Sequence, residues 1–190
     1  SGFFCEDSPM NPSSPYAASK AGGDRLAYSY YKTFGLPVLI ARCGNIYGGG
    51  DRNWSRLVPG TIRSFLRQER PIIRSDGTYQ RDYVYVKDVV HFYRILAENL
   101  SRVDVTGEAF NFSAEVPVSV IEMVQHISQL MGCAHLPPII ENSAKAEIHS
   151  QYLSSEKARR VLNWSPAYSL SAGLEETIAW YRQALREEHD

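Results

Sequence analysis

Between Ala17 and Ala41 a helical pattern runs directly into a buried-strand pattern, and that order constrains the fold more than any other feature of the chain. Leu26, Tyr30 and Phe34 recur at four-residue spacing and so share one helix face. Gly35 suits the left-handed residue that ends a helix. Pro37-Val38-Leu39-Ile40-Ala41 then reads as a short strand buried on both faces, the pattern of a parallel sheet covered on both sides. A helix feeding such a strand predicts an α/β fold.

Further along, Leu57 to Leu66 has a helical pattern, and Ile72-Ile73 and Tyr83 to Val86 read as strands around a turn at Ser75-Asp76-Gly77. Asp88 suits the N-cap of a helix carrying Val89, Phe92, Tyr93, Leu96 and Leu100. Ala109 to Phe112 is a short strand, and Ser119 with Glu122 forms a capping-box signature for a helix that Gly132 ends. Glu156 to Leu162 and a segment carrying Leu174, Ile178, Tyr181 and Leu185 complete the helices. Gly48-Gly49-Gly50-Asp51 reads as a mobile loop; no repeat is visible, and Pro137-Pro138 and Ser165-Pro166 mark loops within one packed unit.

Composition narrows the classes of function. With 190 residues, 44% of them hydrophobic, the chain can bury one sizeable core, as one large domain or two small ones. A net charge of -1 with dispersed basic residues argues against a nucleic-acid partner. No apolar run approaches the ~20 residues that span a bilayer, so no membrane role is expected. Three cysteines without metal-ligand spacing point to free thiols in a reducing, cytoplasmic setting, and the five histidines show no metal pattern. Ser1-Gly2 resembles a cleavage scar, and the expectation is a fragment of a longer protein.

Tyr16 and Lys20 are the candidate chemistry. They lie one helical turn apart, separated by the small residues Ala17, Ala18 and Ser19, behind a helix start flagged by Pro12 and Pro15. A phenol titrates near pH ~10, and a neighbouring ammonium favours the phenolate, which suits it to general-base work on a hydroxyl. Tyr28 with Lys32 and Tyr83 with Lys87 repeat the spacing, so the pair alone also fits an ordinary amphipathic surface helix. No Gly-x-Gly-x-x-Gly occurs, and Gly48-Gly49-Gly50 fails that spacing.

The ordered runs Pro15-Tyr16-Ala17-Ala18-Ser19-Lys20, Ala41-Arg42-Cys43-Gly44-Asn45-Ile46-Tyr47-Gly48, Arg56-Leu57-Val58-Pro59 and Gln80-Arg81-Asp82-Tyr83-Val84-Tyr85-Val86-Lys87-Asp88 resemble the extended short-chain dehydrogenase/reductase family. Ala109-Phe110-Asn111-Phe112, Ser155-Glu156-Lys157-Ala158, Leu162-Asn163-Trp164-Ser165-Pro166 and Trp180-Tyr181 continue the resemblance, which covers nearly the whole chain. Within that family the chain is similar to NAD-dependent nucleotide-sugar epimerases and 4,6-dehydratases. His149-Ser150-Gln151-Tyr152-Leu153 and Gly48-Gly49-Gly50-Asp51 resemble the CDP-glucose 4,6-dehydratase branch.

The resemblance implies the later half of a Rossmann-type parallel-sheet domain interleaved with a small mixed α/β substrate-binding domain. Residues 1–50 would belong to the NAD-binding domain and 51–190 to the substrate-binding region, with about 83–113 returning to the Rossmann sheet. Tyr16 would take the proton from the sugar 4-hydroxyl as hydride passes to NAD, and Lys20 would lower its pKa and hold the nicotinamide ribose. Cys43, Gly44 and Asn45 would approach the cofactor, with Asn45 also at the substrate; otherwise Cys43 reads as core and Asn45 as a turn residue. Arg81 would pair with the diphosphate of a nucleotide sugar, the alternative being a salt bridge to Asp82 or Asp88. Arg56, Leu57 and Arg74 would line the nucleotide pocket, and Asn111 would contact a phosphate or base; without the resemblance they read as surface or loop residues. The family's glycine-rich cofactor loop, its catalytic Ser or Thr and the dehydratase acid and base have no counterpart here, so the chain alone would be inactive. A homodimer is the implied assembly, and a non-catalytic sugar-nucleotide-binding member of the same fold is the other reading.

Overall fold

The computed structural model describes residues 3–143 and 149–187. Helix α1 spans Pro15–Phe34: the Ser14 hydroxyl accepts the Ala17 amide at 3.1 Å, and Gly35, at φ 65°, ends it as its amide reaches the Tyr31 carbonyl. Strand β1 is Ile40–Cys43, later than the 37–41 pattern predicted, and it is half-buried rather than covered on both faces. Among the described residues it pairs with β5 (Ala109–Phe112), in parallel, with Ile40 opposite Ala109 and Cys43 opposite Phe112.

The remaining order is β2 (Asn45–Tyr47), α2 (Leu57–Leu66), β3 (Ile72–Ile73), β4 (Gln80–Tyr85), α3 (Val86–Glu98), then β6 (Pro117–Ser119), α4 (Val120–Met131), β7 (Ile139–Ile140), β8 (Ser150–Gln151), α5 (Glu156–Leu162) and α6 (Leu170–Glu187). Strand β4 is the hub. It pairs β2 in parallel, β6 antiparallel and β8 in parallel, so this sheet is mixed. β3 pairs β7 instead, so the strands flanking the Ser75-Asp76-Gly77 turn lie in different sheets. The turn itself forms, with Asp76 Oδ1 accepting the Thr78 amide at 2.8 Å.

Alternation along β4 builds two cores. Tyr83 and Tyr85 enter one with Ile62, Phe65, Met123, Ile127, Leu174 and Tyr181, between α2, α4 and α6. Val84 enters the other with Phe92, Phe110, Phe112 and Trp164, where the Phe92 and Phe112 rings stack at 4.2 Å. The capping box of α4 is present as read, Ser119 and Glu122 bonding reciprocally.

Two expectations are corrected. Asp88 does not cap α3, which starts at Val86 with Tyr85 as N-cap; it is buried in the first turn and accepts the amides of Ala167 (2.9 Å) and Tyr168 (3.2 Å). Its charge therefore holds the chain entering α6. The triple-glycine segment is a packed corner, not a mobile loop. A Cβ on Gly48 would sit 2.3 Å from Val86, one on Gly49 would sit 2.5 Å from Trp180, and Gly50 has φ 89°. The Tyr181 hydroxyl anchors the next residue, donating to the Asp51 carbonyl.

Candidate active site

Tyr16 lies in the first turn of α1 and is 73% exposed. Lys20 Nζ is 6.0 Å from its ring centroid. Lys32 stands 5.8 Å from the Tyr28 ring, so contact at this spacing does not by itself distinguish the first pair. What distinguishes it is location. Asp24 of α1 is bonded to Arg42 of β1 at 2.7 Å, so the helix carrying Tyr16 and Lys20 packs along the strand that ends at Cys43 in a parallel pair. Ligands of open α/β sheets bind at such ends. Burial pushes the Cys43 thiol up, partly offset by a backbone hydrogen bond and by Lys20.

A residue that sequence reasoning passed over fixes this arrangement. Arg42, on β1, forms a two-point ion pair with Asp24 on α1, Nε to Oδ2 at 2.7 Å and Nη2 to Oδ1 at 3.0 Å, while Nη1 donates to the Glu6 carbonyl at 2.8 Å. α1 has no fully buried residue, so this bidentate contact is a principal tie between helix and strand. The signal was a lone arginine ending an apolar strand run.

Asn45 is exposed at the start of β2, opposite Tyr83, and Gly44 lies flat against Asp82. Arg81 is half-buried; its guanidinium is 5.7 Å from the Tyr79 ring, and Nη1 donates to the carbonyls of Gln80 (2.9 Å) and His149 (3.3 Å). Asp82 binds Ser113 and the Leu153 amide, and Asp88 binds Ala167 and Tyr168, so both carboxylates have partners other than this arginine.

The other expected substrate residues lie on different elements. Arg56 precedes α2 and pairs with Asp51 at 2.9 Å, Leu57 packs on the first core, and Arg74 is exposed with its carbonyl bound to the Ser143 amide. Asn111, expected at a phosphate or base, is instead 1% exposed: its Nδ2 donates to the Phe4 carbonyl at 3.0 Å and its amide to Glu6 Oε1 at 2.7 Å. It tethers residues 4–6, a role its strand position disguised. Among the described residues there is no cluster able to hold a metal and no helix long and apolar enough to cross a membrane.

Residues 3–112 match the model of the NAD dependent epimerase/dehydratase family. The chain is 33% identical over 193 aligned positions to dTDP-glucose 4,6-dehydratase of Xanthomonas campestris pv. campestris, covering 95% of the chain and 52% of that protein. Among solved structures it is similar to dTDP-glucose 4,6-dehydratase of Bacillus anthracis in complex with NAD (TM-score 0.85, 30% identity, 96% of this chain and 56% of that one). UDP-glucuronic acid 4-epimerase of Bacillus cereus, in complex with UDP-glucuronic acid and NAD, is also similar (TM-score 0.89, 27% identity, 97% and 57%). The chain spans about half the length of the curated relatives it matches.

Proposed function

Since the chain belongs to the NAD-dependent epimerase/dehydratase family, we propose that it is the proton-transfer and sugar-nucleotide-binding part of an NAD-dependent nucleotide-sugar 4,6-dehydratase or 4-epimerase. The observation that carries the reading is Tyr16 and Lys20 at the start of α1, a helix tied by the Asp24–Arg42 pair to β1, which ends at Cys43. The residue types fit the nicotinamide end of NAD: a phenol and an ammonium at the start of α1, and the peptide groups of Cys43 and Gly44 at the end of β1. The pyrophosphate needs a cradle that these 190 residues lack, since they hold no Gly-x-Gly-x-x-Gly.

When bound, NAD supplies the hydride acceptor for the sugar C4. The phenol oxygen of Tyr16 would take the 4-hydroxyl proton as general base, and the ammonium of Lys20 would hold the cofactor ribose. Asn45 orients the sugar. Arg81 meets the diphosphate with a planar guanidinium, and Arg56, Leu57 and Arg74 border the nucleotide. Residues 1–50 serve the cofactor and 51–190 the substrate, with about 83–113 returning to the first sheet; within that span, the parallel pairing of β5 with β1 supports the return of 109–112, while β4 pairs β2 in the other sheet. We include a cytoplasmic homodimer in the reading, and the exposed row Leu26, Tyr30 and Phe34 on α1 supports the dimer.

Melting of the chain with NAD and each of CDP-, UDP- and dTDP-glucose tests the binding half of the proposal. One sugar nucleotide should raise Tm in a concentration-dependent way. A flat response to all three would overturn it.

A further inference from the structure

Asp82 is 2% exposed, on the face of β4 that feeds the second core with Val84. Its Oδ2 accepts hydrogen bonds from Ser113 Oγ, just past β5, and from the Leu153 amide (3.2 Å), just past β8. Oδ1 is buried without a hydrogen-bond partner among the described residues. Between β1 and β2 the chain passes directly over this residue. A Cβ on Gly44 would lie 2.8 Å from the Asp82 carbonyl oxygen and 3.3 Å from its carboxyl carbon, and the Gly44 amide donates to the Phe112 carbonyl at 3.3 Å.

Asp82 thus meets three separate stretches of chain, at Gly44, Ser113 and Leu153, and joins the β1–β5 sheet to the sheet built on β4. Nearby, the Glu115 amide donates to Ser113 Oγ at 2.8 Å and the Glu115 carboxylate is neutralised by Arg159, so Ser113 is itself held in place. A buried carboxyl is costly unless it is hydrogen-bonded, and this one leaves an oxygen unsatisfied. A hydrophobic residue would fill the space at lower cost, whereas only an acceptor can gather these two donors beside a bare glycine backbone.

We propose that Asp82 is a positioning residue: through Ser113, the Leu153 amide and the Gly44 backbone it fixes the Cys43-Gly44-Asn45 segment, and so sets where the cofactor and the sugar meet. The ligand half of this statement rests on the function proposed above; the backbone half does not.

Amide hydrogen exchange on the chain decides the backbone half. In Asp82→Ala the Gly44 and Leu153 amides should exchange at least ~10-fold faster than in the parent, while the amides of α4, in the other core, keep their rates. Asp82→Asn and Ser113→Ala, which keep the packing, should give smaller accelerations at the same sites and serve if the alanine variant does not fold. Unchanged exchange at Gly44, or a uniform acceleration over the whole chain, overturns the proposal.

Calorimetric titration with the sugar nucleotide that raises Tm decides the ligand half, in a cycle of Asp82→Asn with Asn45→Ala. A double variant that loses at least ~3-fold less affinity than the product of the two single losses supports positioning through Asn45, and independent losses overturn it. If the parent chain binds none of the sugars, the function proposed above fails, and the exchange data still decide the role of Asp82.

Discussion

Asp24 on α1 and Arg42 on β1 meet through two parallel hydrogen bonds of 2.7 and 3.0 Å, and this grip aligns the helix that begins beside Tyr16 with the strand that ends at Cys43. Both side chains are largely shielded from water. Removing one partner leaves a shielded charge uncompensated. Arg42→Ala should therefore lower the free energy of unfolding by about 3 kcal/mol in urea titration, and Asp24→Ala with Arg42→Ala together should cost less than the sum of the two. Additive losses would show that the pair is not coupled.

Tyr16 calls for the opposite pattern. Its ring is 73% exposed, so Tyr16→Phe should leave Tm unchanged. In the enzyme assayed with NAD and its nucleotide sugar, the same change should lower kcat by about 10²- to 10⁴-fold, the range that a positioned general base contributes. Lys20→Met, which removes the ammonium 6.0 Å from the Tyr16 ring, should lower kcat in the same direction. Full activity in Tyr16→Phe would remove it from the mechanism.

The glycines separate crowding from conformational freedom. Gly49→Ala drives a methyl against Trp180 and should destabilise by about 1 to 3 kcal/mol, the usual cost of overpacking. Gly22, inside α1, has open space where a Cβ would sit, with nothing within 4 Å, and should respond the other way: Gly22→Ala should stabilise by roughly 0.5 to 1 kcal/mol. Thermal melts of the two variants test both signs.

These contrasts show what the sequence made legible. Local signals were read correctly where they are local: the Ser119–Glu122 box, the Gly35 and Gly132 stops, and the limits of α2, β5 and α5 all follow from neighbouring residues. Residues whose partners are distant in sequence were misread. Asp88 looks like a cap but serves Ala167 and Tyr168, and Gly48 and Gly49 look flexible because Val86 and Trp180 lie far along the chain. Tyr16 and Lys20 were legible as a pair, but the Asp24–Arg42 tie that positions them was not, since neither residue announces the other.

Acid should expose one further long-range contact. Although burial alone would raise it, the Glu115 carboxyl is held below its ordinary range by the Arg159 guanidinium and the Ser155 amide. A carboxyl depressed in the fold contributes stability that is present above its unfolded value, near pH ~4.3, and is lost as pH falls through the folded value. The stability gap between the parent chain and Glu115→Gln should accordingly be constant from about pH 7 to 6 and shrink as the pH drops below ~4.3. Denaturant melts across that range measure it. A gap that widened in acid would mean that the Arg159 and Ser155 contacts do not favour the charged form.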